Sequence, residues 1–223
     1  MDSQLDNIGE AVRRILDTIP PDVVLIAAGK TRTVEEIDAA IQAGVTHVGY
    51  NYIQEAIPII QAIGHRVSWH MIGHLQRNKA KLAVQYFDMI ETVDSWRIAQ
   101  ALDHHCENLE KIMPILVEIN SGNESNKTGV IPDAVDELVH QISKLKHIHV
   151  EGLMTMGPRF GDPEESRPYF KATREVFERI AARHLPNVSM RYLSMGMSNS
   201  YRIAIEEGAN IVRIGTKLFG ERQ

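Results

Sequence analysis

Short apolar runs rich in β-branched residues alternate along the chain with longer stretches in which apolar residues recur every three or four positions. Buried strands of a parallel sheet read as continuous apolar runs, whereas amphipathic helices show the longer period. The apolar runs lie at residues 23–29, 46–51, 67–73, 87–93, 113–120, 150–157, 190–196 and 210–216. This alternation predicts eight strands, each followed by a helical connection.

The stretch 33–44 carries the clearest helix signals. Thr33 is a predicted N-cap, Glu36 completes a capping box with it, and Gly44 follows the last helical turn. Helical periodicity also marks residues 5–19, 94–106, 131–145 and 163–184. The first of these precedes every predicted strand and is therefore an additional N-terminal helix.

A strand followed by a helix, repeated eight times within 223 residues, is typical of a (β/α)8 barrel. We therefore predict an α/β fold, a single-domain (β/α)8 TIM barrel with an extra N-terminal helix, over residues 1–223. No Gly/Ser linker, low-complexity tract or change of composition divides the chain. An open, doubly wound sheet is the alternative that the same alternation allows.

The composition limits the partners that the protein can have. Apolar residues make up 43% of the chain, and the formal net charge of −5 argues against bulk binding of nucleic acid or acidic membranes. The first residues lack the basic and apolar regions of a signal peptide, and no apolar run approaches the ~20 residues of a membrane span. The single cysteine, Cys106, indicates a reducing cytoplasm, and we expect it to be an ordinary helix residue.

Functional side chains of a (β/α)8 barrel lie at the C-terminal ends of the strands. The loops after the seventh and eighth predicted strands, residues 194–198 and 213–216, are rich in glycine and hydroxyl groups. Backbone N–H groups and hydroxyls of this kind bind phosphate, and barrels usually build their phosphate site from these two loops. Turn formation by serine and glycine is the competing interpretation.

Lys30 stands at the end of the first predicted strand, between Gly29 and Thr31. A nucleotide-binding P-loop would require glycine where Val24 is found, so that motif is excluded. In an apolar barrel mouth, burial disfavours the charged ammonium, and a neutral amine can attack an aldehyde. Pyridoxal 5'-phosphate (PLP) is an aldehyde that brings its own phosphate. A solvated lysine at a strand end is the simpler alternative.

Segments distributed over nearly the whole chain match one known family in order. They are AAGKT (27–31), HVGYNYIQE (47–55), WHMIGHLQRNK (69–79), VDS (93–95), VEINSGNESNKTGV (117–130), GLMTM (152–156), LSMGMS (193–198) and VRIGTKLFG (212–220). On these segments the chain resembles the YggS/PROSC family of PLP-binding proteins, also called PLP homeostasis proteins. Members of that family have the barrel of the alanine racemase N-terminal domain.

The resemblance implies a role for each of the matched residues. Lys30 would form a Schiff base with PLP, and Arg213 would approach the pyridine nitrogen. The phosphate would be surrounded by Ser194, Gly196, Ser198, Gly215 and Thr216. The ring pocket would be lined by Asn51, His70 and Met154.

Three positions depart from the family pattern. Gly29 stands where the family usually has serine, Tyr50 where it usually has glutamate, and Ser200 where it usually has aspartate. The first and third change the surroundings of the lysine and of the phosphate-loop helix. The second is expected to remove a carboxylate near the pocket mouth.

The resemblance also implies binding of PLP without efficient catalysis. Arg213 stays charged, so it cannot keep the pyridine nitrogen protonated and the ring would be a weak electron sink. Racemases of this fold tolerate such an arginine but take a second base from an additional β-domain, for which a chain ending at Gln223 is expected to have no room. We therefore expect a monomeric PLP carrier that serves vitamin B6 and amino-acid balance, with PLP-accepting apo-enzymes as partners.

Other interpretations stay open at this point. A slow PLP-dependent racemase and a scaffold for protein partners are two of them. A Schiff-base aldolase acting on a sugar phosphate would need a carboxylate near Lys30, and we expect Glu118 and Glu151 to be structural. No metal site is expected, because a strand end and a glycine turn separate His70 from His74. Residues 76–81 form a small basic patch that we expect to be a solvated helix start.

Overall fold

The computed structural model describes residues 2–122, 124, 128–158 and 161–221, which form a closed barrel of eight parallel strands. The strands are β1 Val24–Ala28, β2 His47–Tyr50, β3 Ser68–Met71, β4 Met89–Val93, β5 Met113–Ile119, β6 Ile148–Thr155, β7 Val188–Ser194 and β8 Ile211–Ile214. Each strand pairs with its neighbour in sequence, and β8 closes the barrel on β1. The prediction of a (β/α)8 barrel is confirmed.

Helices lie between the strands and at both ends of the described chain. They are α1 Asp2–Leu16, α2 Val34–Gln42, α3 Ile53–Ile63, α4 Ala80–Tyr86, α5 Trp96–Glu107, α6 Val135–Ile142, α7 Arg167–Ala181, α8 Tyr201–Glu206 and α9 Thr216–Phe219. Short 3-10 turns precede α4, α6 and α7, at Arg77–Lys79, Pro132–Ala134 and Pro163–Ser166. Helix α1 is the additional N-terminal helix that the sequence predicts.

Strand ends differ from the predicted runs where the backbone turns. β1 ends at Ala28, so Gly29 and Lys30 belong to the turn that follows it. β7 covers Val188–Ser194 rather than the predicted residues 190–196. Gly196 has a φ of 86°, a left-handed conformation that a strand does not contain, so β7 ends before it.

Helix α2 begins and ends as its sequence predicts. The backbone N–H of Glu36 donates to Thr33 Oγ1 at 3.3 Å, and the backbone N–H of Thr33 donates to the Glu36 carboxylate at 2.9 Å. The predicted capping box is therefore confirmed. Gly44 follows the end of the helix with a φ of 115°, a conformation that glycine adopts without strain.

The strands bury both of their faces, so the protein has two apolar cores. The larger core lies between the barrel and the helices and includes Trp69, Phe87 and Phe170. The smaller core fills the inside of the barrel and consists of the buried residues Ile26, Met89, Leu116, Met154 and Ile211.

A layer of buried polar side chains lies inside the barrel, on the C-terminal side of this smaller core. Its members are His70, Glu91, Glu118, Ser194 and Arg213. Residues two apart on a strand point to the same face. Glu91 therefore faces inward with Met89. By the same spacing, Glu118 faces inward with Leu116, and Arg213 faces inward with Ile211. The inside of the barrel thus changes from apolar to charged toward its C-terminal rim.

Two expectations about the chain as a whole can be compared with the structure. Among the described residues, no helix is both long and apolar enough to cross a bilayer. Cys106 is buried within α5, and burial raises the pKa of its thiol to about 11. The prediction that Cys106 is an ordinary helix residue is confirmed.

Candidate functional site

Lys30 lies in a tight turn at the C-terminal end of β1. The backbone N–H of Arg32 donates to the carbonyl of Gly29 at 3.1 Å and closes the turn around Lys30. Thr31 has a φ of 65°, a conformation that residues other than glycine rarely adopt. Its backbone N–H donates to the Glu55 carboxylate at 3.4 Å. The turn thus holds a half-buried Lys30 at the barrel rim.

The loop after β8 lies beside this turn because the barrel closes there. Ala27 of β1 pairs with Ile214 of β8. An ideal Cβ atom on Gly215 would lie 3.4 Å from the Cβ atom of Ala28. The start of the Lys30 turn and the Gly215 loop are therefore neighbours, although they come from opposite ends of the sequence.

Backbone N–H groups of the β8 loop converge on Ser198. The N–H groups of Gly215 and Lys217 both donate to Ser198 Oγ, each at 3.4 Å. Thr216, the first residue of α9, lies between them and is exposed. Two converging N–H groups and two hydroxyls are a donor set that suits a phosphate. Because both bonds to Ser198 are long and weak, a phosphate oxygen can replace the serine oxygen at little cost.

Gly196 and Ser200 shape the other side of this loop. A Cβ atom on Gly196 would lie 2.6 Å from the Cβ atom of Ala204, so the loop can follow its path only with glycine. The backbone N–H of Met197 donates to Ser200 Oγ at 3.3 Å, and Ser200 is buried. Ser200 therefore supplies an oxygen acceptor at the position where the resemblance leads us to expect a carboxylate.

Arg213 points into the polar layer and is held by hydrogen bonds on two sides. Its Nη1 donates to Ser194 Oγ at 2.5 Å and its Nη2 to the carbonyl of Thr155 at 2.8 Å. The Ser194 hydroxyl in turn donates to Glu91 Oε2 at 2.6 Å. Glu91 Oε2 is 3.9 Å from Arg213 Nη1. The guanidinium is thus fixed in place by Ser194, Thr155 and a buried counter-ion.

Glu91 is a site residue that the sequence analysis missed. It is fully buried, and His70 Nδ1 donates to its Oε1 at 2.7 Å. Burial alone would raise the pKa of Glu91, but the hydrogen bond and charge of His70, the charge of Arg213 and the bond from Ser194 outweigh it and hold the pKa below its usual value. A glutamate in the apolar run 87–93 is the sequence signal that would have revealed this anion.

The three residues expected to line the ring pocket lie in different places. His70 belongs to the Glu91 network inside the barrel. Met154 lies in the interior apolar core, next to Ser194 in the β6–β7 register. Asn51 lies at the rim beyond β2, where it lines a cavity of about 240 Å³ that Gly73 and His74 also line.

Glu118 is a second interior carboxylate, and one of its oxygens is unpaired. Thr128 Oγ1 donates to Glu118 Oε1 at 2.7 Å, whereas Oε2 is buried and has no hydrogen-bond partner among the described residues. Burial raises the pKa of Glu118 and Asp94 acts in the same direction, against the hydrogen bond from Thr128 and the charge of Arg213. Glu118 therefore lies within electrostatic reach of the arginine.

Glu151 is a structural residue, as expected from the sequence. Its two carboxylate oxygens accept hydrogen bonds from Nε and Nη2 of Arg191, both at 2.6 Å. Such a bidentate pair fixes both side chains on the wall of the barrel. Glu151 is therefore occupied as a partner of Arg191.

Tyr50 does not lie at the pocket mouth, where the sequence analysis placed residue 50. Its side chain is 1% exposed in the outer core, with its ring centroid 6.3 Å from that of Trp69. The preceding residue, Gly49, faces the interior residue Ile26, so Tyr50 must face the helices. The change at residue 50 therefore alters the wall behind the Lys30 turn.

The histidines considered as metal ligands are engaged elsewhere. No group of three or more metal-ligating side chains occurs within the described part of the chain. His70 binds Glu91 inside the barrel, and His74 lies at the rim with its Nδ1 3.7 Å from Asp94.

Comparison with known proteins identifies relatives over nearly the whole chain. The family model for the alanine racemase N-terminal domain matches residues 3–223. The pyridoxal phosphate homeostasis protein of Pasteurella multocida is 37% identical over 203 residues, which cover 90% of this chain and 87% of that protein. The protein of the same name from Aquifex aeolicus is 38% identical over 200 residues, which cover 89% and 87%.

Solved structures show the same relationship. The PLP-bound structure of PipY from Synechococcus elongatus is 32% identical, with a TM-score of 0.88 over 96% of this chain and 100% of that one. Alanine racemase from Clostridium difficile is 16% identical and shares the fold, with a TM-score of 0.83 over 97% of this chain and 57% of its own. The chain therefore belongs to the pyridoxal phosphate homeostasis protein (YggS/PROSC) family, which is built on the alanine racemase N-terminal domain.

Proposed function

We propose that this protein holds PLP on Lys30, whose Nζ would condense with the cofactor aldehyde, the aldehyde oxygen leaving as water. The observation that carries the proposal is the junction of β1 and β8, where the Lys30 turn lies beside the loops of Ser198 and Gly215. A ligand of this junction needs a carbonyl for the amine and an anion for the N–H groups. PLP has both, and the related PipY has a structure with PLP bound.

The phosphate end of the cofactor belongs to the loops after β7 and β8. We assign its binding to the backbone N–H groups of Gly215 and Lys217, with the hydroxyls of Ser198 and Thr216. Gly196 allows the β7 loop to follow the path that brings Ser198 to these groups. Neutral N–H and hydroxyl donors bind the phosphate here without a lysine or arginine of the loop itself being needed.

The ring end of the cofactor belongs to the polar layer. We assign Arg213 to the pyridine nitrogen, with Ser194 positioning the guanidinium and His70 acting through Glu91. Met154 supplies apolar support beneath this layer, and Asn51 lies at the rim. In this arrangement Ser194 serves the arginine rather than the phosphate.

The positive charge of Arg213 determines which chemistry the site can support. Bound PLP supplies an electron-withdrawing ring, which withdraws most strongly when its nitrogen is protonated. Arg213 keeps its own proton, so it would donate a hydrogen bond to the nitrogen and would leave that atom unprotonated. This arrangement favours holding PLP over efficient catalysis. We assign to the protein, as one PLP-binding domain over residues 1–223, the role of a monomeric cytoplasmic carrier that supplies PLP-requiring apo-enzymes.

The test is the visible absorption spectrum of the purified protein before and after borohydride treatment. Wild type should show a visible band on addition of PLP, and borohydride should fix the cofactor on the peptide that contains Lys30. Lys30→Ala should lack the band and the modified peptide. Lys146→Ala removes an exposed lysine far from the rim and should behave as wild type. A wild type that stays colourless with excess PLP would overturn the proposal.

A second assay separates a carrier from an enzyme. The PLP-loaded protein is mixed with the apo-form of a PLP-dependent enzyme, and the recovery of that enzyme's activity is followed together with racemisation of alanine. Recovery of activity without racemisation supports the carrier role. Racemisation that disappears in Lys30→Ala would instead assign the protein to the racemases.

A further inference from the structure

A groove runs along the outside of the barrel between α5 and the segment formed by the 3-10 turn Arg77–Lys79 and α4. Two adjoining cavities form it. One has a volume of about 420 Å³ and is lined by Arg77, Arg97, Gln100, Ala101, His104 and His105. The other, of about 260 Å³, is lined by Lys81, Gln85, His104, His105, Asn108 and Leu109. Because both cavities include His104 and His105, we treat them as one α4–α5 groove.

The charge of the groove has one sign. Neither cavity is lined by an aspartate or a glutamate. Arg77, Lys81 and Arg97 are exposed and form no ion pair with the described residues. Arg13 of α1 is also exposed without an ion pair, but the cavity that it lines includes Asp6, Glu35 and Asp38. Burial, together with the positive charges of His104 and Lys81, lowers the pKa of His105. In a protein of net charge −5, this concentration of cations attracts an anionic partner.

The groove has the shape of an elongated site. On α5 its lining residues recur at helical spacing, from Arg97 through His104 to Asn108, and so form one continuous stripe. At ~1.5 Å per residue this stripe is roughly 17 Å long. That length matches about six residues of extended peptide at ~3.3 Å each. A single phosphate or carboxylate would fill only a small part of it.

The two ends of the groove differ in character. Arg77 marks the upper end, and the preceding residue Gln76 lines the rim cavity that Asn51 also lines. At the lower end the last turn of α5 leads to Leu109 and Ile112, which are 47% and 63% exposed. Exposed apolar side chains beside a charged groove are typical of protein-binding surfaces. The lower end therefore fits an apolar side chain of the partner.

We propose that the α4–α5 groove docks an acidic segment of a partner protein. Carboxylates of that segment would pair with Arg77, Lys81 and Arg97, and an apolar residue at one end would cover Leu109 and Ile112. A partner bound in this way has its other end at the rim of the barrel. The proposal goes beyond PLP binding, because the groove lies outside the barrel and uses none of the residues assigned to the cofactor.

The probe is a fluorescein-labelled peptide of alternating glutamate and serine, about ten residues long and ending in leucine. Fluorescence anisotropy measures its binding to the full-length, PLP-loaded protein at low salt. We expect saturable binding that weakens as salt is added, since exposed charges are screened. The double variant Arg77→Glu/Arg97→Glu should bind at least ~10-fold more weakly, because attraction becomes repulsion at two contacts. Lys81→Glu should weaken binding in the same direction.

The matched control is Arg13→Glu/Arg14→Glu, which changes the net charge equally at two exposed residues of α1. It should change the affinity less than ~2-fold. An equal loss in this control would show that bulk charge alone binds the peptide, and would overturn the proposal. Absence of binding to wild type would also overturn it. A labelled single-stranded oligonucleotide is tested in the same way. If it binds wild type as tightly as the peptide does, and the groove variants lose this binding, the groove is assigned to nucleic acid instead.

The absorption spectrum with PLP is measured on the same samples. The groove variants should keep the visible band, since their substitutions lie outside the barrel. Groove variants that keep the visible band but lose peptide binding support both proposals. Peptide binding by a protein that never takes up PLP would overturn the cofactor proposal and leave the docking surface in place, so the two failures can be told apart.

Discussion

The side chain of Tyr50 occupies the space that a side chain on Gly29 would need. An ideal Cβ atom on residue 29 would lie 2.8 Å from both Cζ and Oη of Tyr50, and 3.0 Å from Cδ1 of Ile37. Gly29 directly precedes Lys30. Residues 29 and 50, at both of which the resemblance leads us to expect a departure from the family pattern, are therefore complementary in volume. The bulk of Tyr50 requires the absence of a side chain at residue 29.

This contact predicts strong coupling between the two positions. Gly29→Ser should destabilise the protein by about 1–3 kcal/mol, because its side chain is forced against a ring in a close-packed core. In a chain that also carries Tyr50→Leu, the same serine should cost at least ~1 kcal/mol less. Urea unfolding of wild type, both single variants and the double variant gives the coupling energy. Strictly additive effects would contradict the arrangement.

Removal of the Tyr50 hydroxyl is predicted not to destabilise the protein, in contrast to Gly29→Ser. It is buried without a hydrogen-bond partner among the described residues, and burial raises the pKa of Tyr50 well above its ordinary value. Tyr50→Phe should therefore leave the free energy of unfolding unchanged or raise it by about 1 kcal/mol. Tyr201→Phe is the control, since that hydroxyl contacts Thr18 and Arg202, and it should cost about 0.5–1.5 kcal/mol. Equal losses in both variants would rule out the unpaired hydroxyl.

Glu91 is predicted to contribute stability at neutral pH that disappears in acid. Glu91→Gln leaves Arg213 buried without its counter-ion and should cost about 3–5 kcal/mol at pH 7. Because the folded state holds the pKa of Glu91 below the ordinary 4.5, its contribution is complete above that pH and is lost as the pH falls through the lowered value. Unfolding of wild type and Glu91→Gln should therefore converge in acid. A difference that does not change with pH would contradict the assignment.

Glu118 should show the reverse dependence on pH. Its pKa is raised in the folded state, so the folded protein keeps a proton that the unfolded chain releases. Wild type then loses stability as the pH rises from the ordinary value of 4.5 toward the raised one. Glu118→Gln removes this loss. Its free energy of unfolding should therefore be closer to that of wild type at acid pH, and should rise relative to wild type toward neutral pH. Urea unfolding of both proteins at several pH values checks this prediction. A stability of Glu118→Gln that falls relative to wild type as the pH rises would refute it.

The fold could be predicted because buried strands and amphipathic helices place their apolar residues at different periods along the sequence. The eight runs each overlap a strand, and the capping box of Thr33 and Glu36 is formed as expected. The position of Ser198 beside Gly215 was also predictable, since loops at the C-terminal ends of adjacent strands must meet.

The direction of individual side chains was harder to predict. In a parallel barrel both faces of a strand are buried, so apolar residues on the two faces look alike and do not show which one points inward. Residue 50 was expected near the pocket mouth from the family resemblance, which carries no information on the face that a tyrosine takes there, and Tyr50 is in fact buried in the outer core. Glu91 was overlooked because its run was judged by its apolar residues, whereas the glutamate among them was the informative position.

The pairing of β1 with β8 also bears on the order of events during synthesis. It joins Val24–Ala27 to Ile211–Ile214, nearly the whole length of the chain apart. Contacts of such high sequence separation form late, since the intervening loop must first be closed. A nascent chain that has not yet reached residue 211 contains Lys30 but neither Arg213 nor the Gly215 loop. The two halves of the proposed site therefore come together only after the last strand has been translated.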